Sequence, residues 1–181
     1  MRKNNKGFTL AELLIIVAII AILVSVIAAN LYKYIEKSQV MDDIASAEAI
    51  RTAVQASFND AEVNKMVLKT SIAGVGDTDA FLGTPGAEMQ ATTAFLTLDS
   101  TGNVTTLVST TVNQYLGTLP EFKLKKSMGT GYGAPAQWHV WINYADKKNV
   151  QVKVTVRDAA GNDVEVLPEP DSNSLYAKYA K

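Results

Sequence analysis

Glu12 is the one charged side chain between Phe8 and Ala29, in a run otherwise dominated by leucine, isoleucine, valine and alanine. A charge at the centre of a spanning helix costs roughly 2.5–3.5 kcal/mol on insertion scales, and an ionisable group in such a segment is a functional suspect by default. Near the start of the run the cost is smaller, yet anchoring alone gives the carboxylate no task. Five residues earlier, Gly7 closes a basic leader that carries Arg2, Lys3 and Lys6. A carboxylate in apolar surroundings needs a cation or a set of hydrogen bonds. The chemistry these residues suggest is charge pairing at Glu12.

Elsewhere the case for chemistry is thin. His139 is the sole histidine, and cysteine is absent. The alternation around it puts His139, Trp141 and Asn143 on a wet or lightly packed strand face. His139 and Trp141 are therefore candidates for a surface contact, either a subunit interface or an adhesive patch. Gly129-Thr-Gly-Tyr-Gly133 lacks the Lys-Ser/Thr of a phosphate loop and reads as a sheet-edge loop. Asp77 and Asp79 fall far short of the about six to eight oxygens that calcium takes. Asn103-Val-Thr105 fits a glycosylation triplet, although a turn explains the asparagine as well. The reading is of a chain with no catalytic residue, no metal and no cofactor.

Three functions compete for the apolar run. A secretory signal has an apolar region of about 7–15 residues ending at a small-residue cleavage site. Here the run is longer and continues into further helix. A plain anchor fits its length: as a helix, Phe8 to Ala29 measures about 33 Å against a hydrocarbon core of about 30 Å. That leaves Gly7 and Glu12 unexplained. An assembly element uses both. Beyond it, Asn30 to Phe58 holds neither glycine nor proline, and Val40, Ile44, Ala47, Ile50, Val54 and Phe58 recur at helical spacing. Asp42, Asp43, Glu48, Arg51 and Gln55 would take the wetter face. A continuous helix from about 10 to 58 would be roughly 70 Å long, too long to be contained in one modest domain.

The rest reads as loop and sheet. Helical pattern fades from Asn59 to Lys69, and Gly74, Gly76, Asp77, Asp79, Gly83, Pro85 and Gly86 mark a loop region. Two turn signatures, Asp99 to Asn103 and Asp158 to Asn162, predict hairpins joining Thr93–Leu98 to Val104–Val108 and Val150–Arg157 to Asp163–Leu167. Thr110–Leu116 reads as a short helix or turn. Trp138, Val140, Ile142 and Tyr144 share the buried face of a strand, as do Val150, Val152, Val154 and Val156. Asp146 to Asn149 would turn one into the other. Phe122–Lys125 adds a further strand, Pro168 and Pro170 end the sheet, and Leu175, Tyr176 and Tyr179 give the tail apolar groups for docking back. The fold class is α+β.

Lys6-Gly7-Phe8-Thr9-Leu10-Ala11-Glu12-Leu13-Leu14 resembles the processing signal, a class III signal peptide, of the type IV pilin family and the related pseudopilins. The resemblance implies a leader (1–7), a transmembrane and filament-core helix segment (8–29), the amphipathic half of the same helix (30–58) and a globular head (59–181). In that fold a long protruding helix packs its C-terminal half on an antiparallel sheet of about four strands. A membrane prepilin peptidase would cut between Gly7 and Phe8 and methylate the new Phe8 amine. The precursor would stay in the cytoplasmic or inner membrane as a single pass with its N-terminus cytoplasmic, as the basic leader also suggests. A pilus assembly platform membrane protein would then draw it into an extracellular homopolymeric filament. Glu12 would pair with the Phe8 amine of a neighbouring subunit, with Thr9 as an additional hydrogen-bond partner; the alternative is that Glu12 caps its own helix start, where the dipole favours a carboxylate.

Glu12 and a mature length of 174 residues suit a main-shaft subunit, and adhesion or motility would be its family role. The alternatives are a pseudopilin of a type II secretion apparatus, a competence pilin for DNA uptake, and a monomeric anchored binding module not processed at Gly7. Losing the leader leaves 14 basic against 18 acidic residues, moving net charge from −1 to −4. That balance argues against direct nucleic-acid binding. Many relatives carry a disulfide near the C-terminus. Its absence leans toward a Gram-positive or otherwise disulfide-poor source. Ala29 and Ala21 stand where proline and glycine are frequent in the family, so a proline trigger for helix melting is missing.

Overall fold

Neither glycine nor proline interrupts the chain between Phe8 and Asn59, and one helix, α1, runs from Leu10 to Asn59. The computed structural model describes residues 7–60, 63, 77–92, 103–146 and 149–180. The chain divides into two compact units, Met1–Ser38 and Gln39–Lys181.

In the first unit the apolar side chains of α1 are exposed, from Phe8 and Leu10 through Ile27 to Ile35. The richest 18-residue window of the helix has a mean hydropathy of 3.1, long and apolar enough to cross a membrane.

In the second unit α1 becomes one-sided. Val40, Ala47, Ile50, Val54 and Phe58 enter the core, each large one contributing about 1.5–3 kcal/mol on full burial. Opposite them lies a sheet in the order β2-β1-β3-β4-β5, antiparallel throughout. Its strands are β1 (Asp77–Gly83), β2 (Gln90–Ala91), β3 (Pro135–Asp146), β4 (Asn149–Asp158) and β5 (Asp163–Leu167). Trp138, Val140 and Ile142 of β3 and Val152, Val154 and Val156 of β4 are buried in the same core. The apolar face read from the sequence is thus buried in both strands, although His139 and Thr155 on the opposite faces are buried too. The second hairpin also forms as expected. Gly161 takes φ +90°, where a side chain would be strained. Asp158 holds the turn by accepting from the N–H groups of Ala160 and Asn162, both at 2.9 Å.

Three expectations fail for physical reasons. Val104–Val108 is not a strand: helix α2 spans Asn103–Leu116 and takes in the segment expected as a short helix or turn. Val108 and Val112 are buried one turn apart, so helical-period burial overrides the β-branched composition. Its supposed partner Thr93–Leu98 lies outside the described residues. Phe122–Lys125 is irregular, because its backbone donors are committed to a helix carboxylate described below. Asp77–Gly83, read as loop from its aspartates and glycines, is a strand. Ala80 and Phe81 are buried there, and the strand pairs with β3 through a bulge between Asp79 and Phe81. Among the described residues the sheet has five strands where about four were expected.

The tail docks as foreseen. Helix α3 (Leu175–Tyr179) buries Tyr176, and the preceding Ser174 forms an antiparallel bridge with Gly129. A Cβ at Gly129 would lie 2.3 Å from the Asn173 carbonyl oxygen, so glycine makes that approach feasible.

Candidate functional site

Gly7 and Phe8 precede α1 in non-helical backbone. A Cβ added at Gly7 would meet nothing within 4 Å, and Phe8 is 80% exposed. The bond between them is open to approach.

Thr9 and Glu12 close a capping box. The Thr9 N–H donates to Glu12 Oε2 at 2.8 Å, and the Thr9 hydroxyl donates to the same oxygen at 2.9 Å. In return the Glu12 N–H reaches Thr9 Oγ1 at 3.3 Å. A helix leaves its first four N–H groups unpaired, and the carboxylate is favoured by the helix dipole. Within the single chain, Glu12 thus has a local role at the helix start. Both bonds fall on one oxygen, Oε2.

A second carboxylate on α1 escaped the sequence reading. Asp43 was assigned to the wet face, but it is fully buried. The reason is its spacing: it lies three residues after Val40 and four before Ala47, on the core stripe itself. It accepts from the backbone N–H groups of Lys123 at 2.7 Å and Leu124 at 3.2 Å. Burial pushes its carboxyl above the ordinary range, against the lowering effect of those two donors. Tyr176 lies beside it, and burial followed by the Asp43 charge pushes its phenol up as well. Asp43 therefore ties α1 to the segment leading into the sheet, where Trp138 Nε1 donates to the Pro120 carbonyl at 2.9 Å. The available signal was the three-and-four spacing, which composition overrode.

His139 is not on a wet face. It is fully buried, its Nε2 2.6 Å from Asp79 Oδ1 and its Nδ1 3.2 Å from Asp163 Oδ1. Carboxylates from β1 and β5 hold both ring nitrogens and correct the surface assignment. Arg157 grips Asp163 with two bonds, Nε to Oδ1 at 3.0 Å and Nη2 to Oδ2 at 2.8 Å. Burial tends to raise the Asp163 carboxyl, but His139 and Arg157 outweigh it and bring it down to about 2. Trp141 is half-buried, its ring 4.8 Å from that of His139. The two carboxylates occupy different nitrogens of one ring, which is a structural tie across β1, β3, β4 and β5. Among the described residues, no group of three or more His, Cys, Asp or Glu side chains could hold a metal ion.

Residues 2–28 match the family model described as the prokaryotic N-terminal methylation motif. Two proteins of Dichelobacter nodosus, each named type IV major fimbrial protein FimA, are similar to the chain. One is 38% identical over 65 residues, covering 36% of this chain and 42% of the relative; the other is 33% identical over 79 residues, covering 44% and 49%. A fimbrial protein of Pseudomonas aeruginosa is 31% identical over 94 residues, 50% of this chain and 61% of its own length. The chain spans about half the length of the curated relatives it matches. No solved structure matches it. With the methylation motif at the head of a long apolar helix, an antiparallel sheet after it and fimbrial relatives, the chain is similar to type IV pilins over its N-terminal part.

Proposed function

We propose that the chain is a structural, non-catalytic subunit of a type IV pilus-like surface filament and forms its main shaft. A prepilin peptidase cuts between Gly7 and Phe8 and methylates the Phe8 amine. The precursor is held in the membrane by its apolar helix until an assembly platform protein passes it into the filament. The observation that carries this reading is one juxtaposition: an accessible Gly7–Phe8 bond, with a capping-box carboxylate four residues after Phe8, at the head of an exposed apolar helix.

The capping box refines the part played by Glu12. Thr9 occupies Oε2, which leaves Oε1 as the oxygen to receive an incoming cation. The Phe8 amine of a neighbour can bind there without opening the box, so the helix start stays intact while the subunit docks. In apolar surroundings such a pair fixes register more than it adds net stability. Association itself comes from burying the exposed apolar faces and from their packing.

The tests are direct. Protein from its native host should begin at Phe8, with the mass of one added methyl group; an N-terminus at Met1 overturns the reading. Glu12→Ala should be cleaved normally and yield few filaments by electron microscopy of sheared fibres. Wild-type filament abundance in that variant would remove the pairing step. Glu12→Gln separates the roles further, because the amide retains a capping oxygen but loses the charge.

A further inference from the structure

Beta strand β5 stops short of its neighbour. Its register ends with Leu167 opposite Val154, so the ladder does not continue along β4 toward Val150. Beside this open edge, against the second half of α1, lies a cleft of about 450 Å³, within the range of small-ligand sites. Its lining is chemically mixed. Val150 and Val152 supply an apolar floor, Gln55 and Gln151 supply amides, and Arg51 and Lys153 supply cations.

The cations differ. Lys153 is engaged by Glu165 at 2.8 Å. For Arg51, Nη1 lies 3.7 Å from Glu48 Oε2, beyond hydrogen-bonding distance. Its Nε is buried and has no acceptor among the described residues. A buried guanidinium donor left unpaired is costly, and its planar fork matches a carboxylate. Amides beside it can both donate to and accept from hydroxyls. An apolar floor suits the C–H face of a sugar ring.

We propose that this cleft binds an acidic sugar, a hexuronate unit of the kind found in carboxylated polysaccharide, with its carboxylate on Arg51 and its hydroxyls on Gln55 and Gln151. Glu165 disfavours a second acid at the Lys153 end, so a singly charged ring fits better than a dense polyanion. The site lies entirely within residues 39–181 and is independent of the filament reading. It gives the subunit a chemical preference for the surfaces it meets.

Titration calorimetry on the full chain, in a zwitterionic detergent without a sugar headgroup, tests it with glucuronate, galacturonate, glucose and acetate. Glucuronate or galacturonate should bind about tenfold or more tightly than glucose, and more tightly than acetate. Arg51→Lys keeps the charge but loses the fork and should weaken uronate binding about tenfold. Gln55→Ala should weaken it less, and the circular dichroism of both variants should match the wild type. Equal binding of glucose overturns the carboxylate contact, and equal binding of acetate overturns the sugar. Unchanged affinity in Arg51→Lys overturns the assignment to Arg51. No heat with either uronate at millimolar concentration removes the site. Binding of an acidic peptide in preference to both uronates would reassign the cleft to protein contact and refute the sugar proposal.

Discussion

Glu12 and Asp43 are carboxylates on the same helix, and they are satisfied in opposite ways. Glu12 belongs to the exposed, apolar first half and is bonded by a residue three positions away. Asp43 belongs to the second half, is fully buried, and is bonded by backbone eighty residues later in the chain. One carboxylate organises a local turn, with both Thr9 bonds on Oε2. The other is consumed inside the subunit, fixing where the helix meets the segment ahead of the sheet. One helix therefore carries an acid bonded locally and another bonded by distant chain, with burial as the distinction.

The largest effect should separate them outright. Asp43→Ala leaves the N–H groups of Lys123 and Leu124 without their acceptor and opens a small void. At about 1–3 kcal/mol per unpaired buried group, the loss should reach about 2–4 kcal/mol. Asp43→Asn keeps one acceptor oxygen and should lose less. Glu12→Ala should leave the unfolding of residues 39–181 within about 0.5 kcal/mol of wild type. Denaturant unfolding of the full chain in detergent, followed by tryptophan fluorescence from Trp138 and Trp141, measures all three. Equal stability of Asp43→Ala and wild type would erase the contrast.

That contrast also explains what could be read from residues alone. The N-terminal segment is a local pattern: Gly7, Thr9 and Glu12 act through neighbours in sequence, and the capping-box spacing is visible in the chain. Period-two alternation likewise exposed β3, β4 and β5, whose buried faces need no partner to be recognised. Failures occurred where distant chain decides. Asp43 was assigned to solvent because its acceptor role depends on Lys123 and Leu124. The segment at 122–125 was given a strand because its donors looked free for a ladder. His139 was placed on a wet face because the aspartates that cover it come from β1 and β5. The strand at Asp77–Gly83 was hidden by loop-like composition, since its pairing with β3 is nonlocal.

Acid should sharpen the comparison with an effect of intermediate size. Asp163 is held down to about 2 by His139 and Arg157 against burial. Its folded pKa lies below its unfolded value, so its contribution is fully present above about pH 4 and is lost as pH falls toward 2. Screening by solvent at this partly exposed group reduces the magnitude to about 1 kcal/mol. Asp158, held down to about 2 chiefly by the Gly133 N–H and then by Asn162, adds in the same direction. Asp43 runs the other way: its folded pKa is raised, so protonation on acidification relieves a cost of the folded state. Thermal midpoints between pH 6 and pH 2 should fall for wild type. Asp163→Asn should start lower at pH 6 and decline less. A parallel decline in the two proteins would show that the His139–Asp163–Arg157 tie carries no pH-dependent stability.

The smallest effect tests the local partner of the pair. Thr9→Ala removes the hydroxyl that donates to Glu12 and accepts from its N–H, while the Thr9 backbone bond to the carboxylate can persist. Loss of an N-cap side chain costs about 1 kcal/mol, and the penalty here is confined to the first turn of α1. Hydrogen exchange should therefore accelerate at residues 10–13 by a few-fold, with no change in the unfolding of residues 39–181. If the carboxylate is shared between the cap and a neighbouring amine, filaments of Thr9→Ala should form but shear more easily than wild type, because Glu12 is less firmly aimed. Unchanged exchange at 10–13 would mean that the box does not hold the helix start. Altered unfolding of residues 39–181 would mean that the effect of Thr9 extends beyond the first turn, and the division between a local acid and a distant one would no longer stand.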